Sequence, residues 1–170
     1  ALRDLGLELR WTLSVGDDVE RIADAVAAAL ARSNVVITTG GLGPTVDDPT
    51  REAVARAFGR ALEYREELWE QIGQRFSRWG RAPTENNRRQ AHVPAGAIAI
   101  ENPVGTAPAF IVEREDGRIC ISLPGVPAEM EYLLKQSVLP YLRRKLMLTG
   151  VIKTRVLHVA GLGESQIDEK

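Results

Sequence analysis

Apolar residues fall along this chain in short blocks separated by polar, glycine-rich stretches, and the length and period of each block predict the element it forms. An apolar and β-branched stretch at residues 9–15 predicts a strand, and residues 18–32 carry a helical pattern that Asp17 or Asp18 can cap. Residues 34–39 form a near-continuous apolar run ending in glycine, the pattern of a strand buried in the middle of a parallel sheet. A second helix is expected from Asp48 as N-cap and Pro49 at its first position, with Gly59 closing it. A third spans residues 66–79 and stops at Gly80, Thr84 caps a short helix, and residues 97–100 read as a strand. Glu115-Asp116-Gly117 between apolar residues 110–114 and 118–123 signals a β-hairpin, and hence an antiparallel edge. A long helix over residues 128–146, bent or stepped at Pro140, precedes a last strand at 151–159.

Strands alternating with helices imply a three-layer α/β/α sandwich with a mostly parallel sheet and an antiparallel edge hairpin, whose ligands sit beyond the carboxyl ends of the strands. Three loops lie where such a ligand would be held. The first, Thr38-Thr39-Gly40-Gly41-Leu42-Gly43-Pro44-Thr45-Val46-Asp47-Asp48, leaves a buried strand and enters a helix. Its glycines allow close backbone approach, and free amides at a helix start can hold an anion. It is neither a Walker loop nor a dinucleotide fingerprint, and a tight strand-to-helix turn explains the same residues. The second loop is Asn102-Pro103-Val104-Gly105-Thr106-Ala107-Pro108 and the third Leu123-Pro124-Gly125-Val126-Pro127-Ala128-Glu129-Met130.

Asp47 and Asp48 are adjacent carboxylates on a phosphate-type loop, able to recruit a divalent cation that offsets diphosphate charge. Alternatively, Asp48 is the helix cap and Asp47 a solvated neighbour. Glu129 either reaches the same metal or complements the helix dipole. Glu85, Asn86, Arg88 and Gln90 line the cleft or form a solvated helix face, and Arg88 has the fork geometry that suits a phosphate. His92 and His158 have no zinc-like spacing. Trp11, Trp69 and Trp79 read as core or interface residues.

The chain's 170 residues suit one domain, or one domain and a fragment of another. Hydrophobic residues make up 44% and charged residues 26%, the balance of a globular protein. A net charge of −1 gives no general reason to bind nucleic acid or anionic membrane. With no apolar run near the roughly 20 residues of a membrane span and no signal-peptide pattern, a cytoplasmic location is expected. The single cysteine, Cys120, sits in an apolar run and reads as core filler.

Taken together, the first loop through Thr50, Thr84-Glu85-Asn86-Asn87-Arg88-Arg89-Gln90-Ala91 and the second and third loops resemble the successive signatures of the amino-terminal domain of the CinA (competence/damage-inducible protein A) family. The resemblance covers residues 1–145, and Gly161-Leu162-Gly163-Glu164-Ser165 looks like the start of that family's next segment, so the expected division is 1–147 and 148–170. Asp48 and Thr50 match the aspartate and threonine of the wider superfamily of MoaB/MogA-type molybdenum-cofactor enzymes. The resemblance implies a pterin-binding-like fold, self-association, and a phosphorylated ligand facing Thr39, Gly40, Gly41, Gly43, Asp48 and Thr50, with Gly105, Thr106, Pro124 and Gly125 on the other loops. It also implies cleavage of the diphosphate in ADP-ribose-like nucleotides, dependent on Mg, Mn or Co. Family members begin about one strand and one helix earlier, so part of the expected site falls outside this sequence, and Ala109 stands where they usually have glycine. The nicotinamide mononucleotide deamidase domain of longer relatives is not assigned here. Three functions from different classes follow: a metal-dependent phosphohydrolase, a carrier or sensor that binds pterin or nucleotide without chemistry, and an interaction domain whose loops are only turns.

Overall fold

The structure is a computed structural model, and it describes residues 1–150. The expected strand at 151–159 and the motif at 161–165 lie outside the described residues.

A four-stranded sheet in the order β1-β6-β5-β4 carries helices on both faces. After a short 3-10 turn at Arg3–Leu5, helix α1 (Val19–Arg32) opens at Asp18, whose carboxylate accepts from the Arg21 amide at 2.9 Å as a capping aspartate should. Strand β1 (Val35–Thr39) runs parallel to β6 (Ile119–Leu123), with Val35 opposite Ile119 and Thr39 opposite Leu123. The β5 (Ala109–Glu113) to β6 hairpin turns at Gly117, and β4 (Ile98–Ile100) adds to β5. The antiparallel part of the sheet is thus three strands wide.

Alternation along β5 and β6 divides the core. Phe110, Val112 and Cys120 face a layer built from α1, α2 (Thr50–Ala57) and α3 (Glu66–Arg78), where they meet Val26, Leu30, Val54, Leu68 and Ile72. Ala109, Ile111, Ile119, Ile121 and Leu123 face the opposite layer, where Leu133, Val138 and Leu142 of the carboxyl-terminal helices cover them. Cys120 is fully buried and its thiol is pushed up to about 12 by that burial, as core filler requires.

One sequence expectation is corrected. Residues 9–15 form no strand, and Leu9, Trp11 and Leu13 stand 67%, 61% and 64% exposed. An extended apolar stretch becomes a strand only when another strand accepts its hydrogen bonds, and none among the described residues does. Strand β1 pairs, among the described residues, with β6 alone and is half-buried.

A second sheet, antiparallel β2 (Leu62–Tyr64) and β3 (His92–Pro94), was not expected, since three residues are too few to show a period. The long terminal helix is stepped as foreseen. Helix α4 (Pro127–Leu133) passes through a π-turn at Leu134–Val138, where the Leu139 amide donates to Leu134, into α5 (Leu139–Lys145). The wide turn lies directly before Pro140, which has no amide to continue an ordinary α-helical ladder. Glu113 of β5 ties this layer down, accepting from Tyr141 and, at 2.7 Å, from Lys145. No helix among the described residues is long and apolar enough to cross a membrane.

Candidate functional site

The three glycine-bearing loops meet at one end of the sheet, because β1 and β6 run into the first and third while β5, antiparallel to β6, starts from the second. Gly40 and Gly125 touch backbone to backbone: a Cβ on Gly125 would stand 3.1 Å from the Gly40 Cα. The Gly40 amide donates to Leu123 at 3.0 Å, and Thr38 and Ser122 join β1 to β6 side chain to side chain at 2.9 Å just below. Gly40 and Gly41 turn the chain through φ of 93° and 66°, a region that side chains with a Cβ rarely enter.

Asp48 does not cap α2. Helix α2 starts at Thr50 with Pro49 before it and no side-chain cap, and the Asp48 carboxylate turns back into its own loop. Its Oδ2 accepts from the Thr45 amide at 3.0 Å and the Thr45 hydroxyl at 2.7 Å, and the Gly43 amide faces it. Burial opposes its charge, but these donors and the Arg51 guanidinium outweigh that cost and hold the carboxyl below its ordinary value. Glycine at 43 leaves room for this carboxylate, since a Cβ there would stand 2.7 Å from the Asp48 carboxyl carbon and displace it. Asp47 is exposed beside it, and Thr39 is exposed at the end of β1.

Thr50 is buried, donating its hydroxyl to the Gly40 carbonyl at 2.9 Å and its amide to Gly41 at 3.2 Å, so it braces the glycine turn from beneath. Arg51 is 1% exposed and donates to the carbonyls of Leu42 and, at 3.1 Å, Gly43; burial brings its guanidinium down to about 10. Sequence reasoning passed over it, yet an arginine in the first turn of a helix otherwise buried through Ala53, Val54 and Ala55 is the available signal.

The 3-10 turn at Glu85–Ala91 divides its side chains between a solvated face and the loops. Asn86 and Arg88 are exposed, and Arg88 lies over the Tyr64 ring at 5.0 Å. Arg89 is the arginine that reaches the first loop, donating to the Thr45 carbonyl at 3.0 Å and pairing with Glu52 at 2.9 Å. Gln90 is buried and donates to Leu42 of the first loop at 3.4 Å and to the Thr106 hydroxyl of the second at 3.3 Å.

Gly105 is buried, as is Pro124, whereas Gly125 is exposed at the mouth. Glu129 leans on the second loop, accepting from Asn102 Nδ2 at 2.6 Å. Asp47, Asp48 and Glu129 do not assemble into one set: among the described residues no three His, Cys, Asp or Glu side chains group together. Mg²⁺-like ions take one or two protein carboxylates and complete their shell with substrate phosphates and water, and the residues that could hold one are Asp48, held ionised, and the exposed Asp47 beside it.

Glycine loops clasped together at the exit of two parallel strands, with a fixed carboxylate on one of them, mark an α/β domain, a class in which ligands are generally received beyond the carboxyl ends of the strands. Residues 1–144 match the family described as "Probable molybdopterin binding domain". A CinA-like protein of Parasynechococcus marenigrum is 44% identical over 169 residues, covering 99% of this chain and 40% of that protein. A protein of Caldicellulosiruptor saccharolyticus named as competence-damage inducible shows the same identity and coverage. The solved structure of CinA from Thermoplasma acidophilum, titled as of unknown function, superposes with a TM-score of 0.74 at 38% identity, over 82% of this chain and 81% of that one. The chain belongs to the CinA family of molybdopterin-binding-like domains, and it spans about two-fifths of the length of the curated relatives it matches.

Proposed function

We propose that this domain binds the diphosphate of an ADP-ribose-like nucleotide across its three loops and hydrolyses it with the help of a divalent cation, Mg, Mn or Co. The observation that carries the reading is Asp48: a carboxylate held ionised within a glycine loop, with Asp47 exposed at its side. An anionic ligand alone would be repelled by that charge, whereas a cation bridging carboxylate and phosphate makes it useful. When bound, the cation would offset the diphosphate's charge and polarise its phosphorus.

The chain's own residues then divide the work. Asp47 and Asp48 would hold the cation, and Thr45 keeps Asp48 aimed. Gly40, Gly41 and Gly125 let backbone approach the phosphates closely, and Thr39 and Thr106 add hydroxyl donors at the rim. Water adds to one phosphorus, the bridging P–O bond breaks, and AMP and ribose 5-phosphate leave. Self-association and a cytoplasmic setting belong to the same reading.

The test is release of AMP from ADP-ribose by the full-length protein, with divalent metal or with chelator, beside Asp48→Asn. Metal-dependent release that the folded variant loses by about 100-fold or more, as expected for a group stabilising developing charge, supports hydrolysis. Saturable binding of ADP-ribose or of a pterin phosphate without cleavage would replace the enzyme by a binding module.

A further inference from the structure

The Leu42 carbonyl is gripped from two directions. Arg51 reaches it from the first turn of α2, and Gln90 reaches it at 3.4 Å from the turn that precedes β3; each of the two residues is 1% exposed. Two buried donors on one loop carbonyl exceed what satisfying that oxygen requires, since a single partner removes most of the desolvation penalty. The excess has a geometric effect. In a trans peptide the C=O and the following N–H point in opposite directions, and no cis bond occurs among the described residues. Holding the Leu42 oxygen inward therefore turns the Gly43 amide outward, on the residue against which the Asp48 carboxylate packs. Arg51 also holds the Gly43 carbonyl, and the next residue, Pro44, has no amide to be misdirected by that grip.

Gln90 is itself held. Its Oε1 accepts from Asn87 Nδ2 at 3.1 Å, and the Thr84 amide and hydroxyl donate to Asn87 Oδ1 at 2.8 and 2.9 Å. Its remaining donor capacity goes to Thr106 of the second loop. A buried amide so fully engaged cannot change rotamer without breaking several bonds at once.

We propose that Gln90, with Arg51, is the positioning residue of the site: it fixes the direction of the Gly43 amide, and so the seat of Asp48, and locks the first loop to the second. This role rests on the diphosphate-site reading, but part of its test does not. Two quantities are measured on the full-length protein and on Gln90→Met, which keeps most of the volume and removes the donor. One is hydrogen–deuterium exchange of the peptide spanning residues 38–50 without ligand; the other is affinity for Mg²⁺-pyrophosphate. Exchange in that peptide is expected to rise about ten-fold, the scale of one buried hydrogen bond, with β5 and β6 unchanged, and pyrophosphate affinity to fall by a similar factor. Gln90→Glu, which at a pH where it is ionised still accepts from Asn87 but cannot donate to Leu42, decides the matter if Gln90→Met loosens the sheet as well. Unchanged exchange in residues 38–50 overturns the proposal, and so does an unchanged affinity in a protein that binds pyrophosphate. Faster exchange in a protein that never binds pyrophosphate keeps the positioning role and removes the diphosphate reading instead.

Discussion

Asn102 donates one side-chain amide to Glu129 Oε2 at 2.6 Å and to the Ala107 carbonyl at 3.0 Å, so a single residue closes the second loop on itself and fastens it to the helix that follows the third. Gly105 makes room for this clasp, since a Cβ there would stand 2.6 Å from the Asn102 amide nitrogen and press on the Glu129 carboxylate. Glu129 accordingly acts here as a brace. Glu129→Ala is expected to cost about 1–2 kcal/mol, the worth of a partly buried hydrogen bond to a charged group, in urea unfolding of the protein. A midpoint equal to the parent's would show that the clasp carries no stability.

Two glycines with positive φ separate conformational strain from steric overlap. Gly117 sits at φ 84° in the hairpin, and a Cβ added there would have no neighbour within 4 Å; at Gly41, φ 66°, a Cβ would lie 3.0 Å from the Thr50 Cβ and closer still to its hydroxyl. Gly117→Ala is expected to cost about 1–2 kcal/mol for the left-handed backbone alone, and Gly41→Ala about 2–4 kcal/mol because overlap with Thr50 adds to it. Equal losses in the two variants would mean that Thr50 does not pack under the glycine turn.

Glu113 offers a test in pH. Hydrogen bonds from Lys145 and then Tyr141 hold its carboxyl below the ordinary glutamate value, so its contribution is fully present above the unfolded-state pKa of about 4.3 and disappears as pH falls through the lower folded value. Glu113→Gln is therefore expected to melt below the parent at pH 7, with the gap closing as the solution is taken to about pH 3. A gap that stays constant over this range would show that the ion pair to α5 contributes nothing.

Leu13 tests the correction at the amino end. At 64% exposed it buries little, so Leu13→Ser is expected to move stability by no more than about 0.5 kcal/mol. A loss of about 2 kcal/mol, typical of a core leucine, would place residues 9–15 in a packed strand after all.

Sequence alone determined what depends on local chemistry and strong periodicity. The start of α1 at the Asp17-Asp18 pair, the turn at Gly117, the end of α3 before Gly80 and the step before Pro140 each follow from residues whose preference is set by their own covalent structure. The apolar stretches on either side of Asp116-Gly117 likewise marked the two strands of a hairpin, β5 and β6, whose faces the two core clusters cover. Tertiary structure decided everything that required a partner distant in the chain. Residues 9–15 have the composition of a strand but no neighbour to pair with among the described residues, and β2 and β3 exist because α3 and the 3-10 turn between them bring two otherwise ordinary triplets side by side. Asp48 looks like a helix cap until the loop folds and Thr45 takes it. Arg89 rather than Arg88 reaches the first loop because a 3-10 turn places successive side chains about 120° apart, an angle that the sequence does not record. Local propensity fixes where the chain turns, but which side chains meet beyond the turn depends on packing between elements, and that is settled only when the layers close.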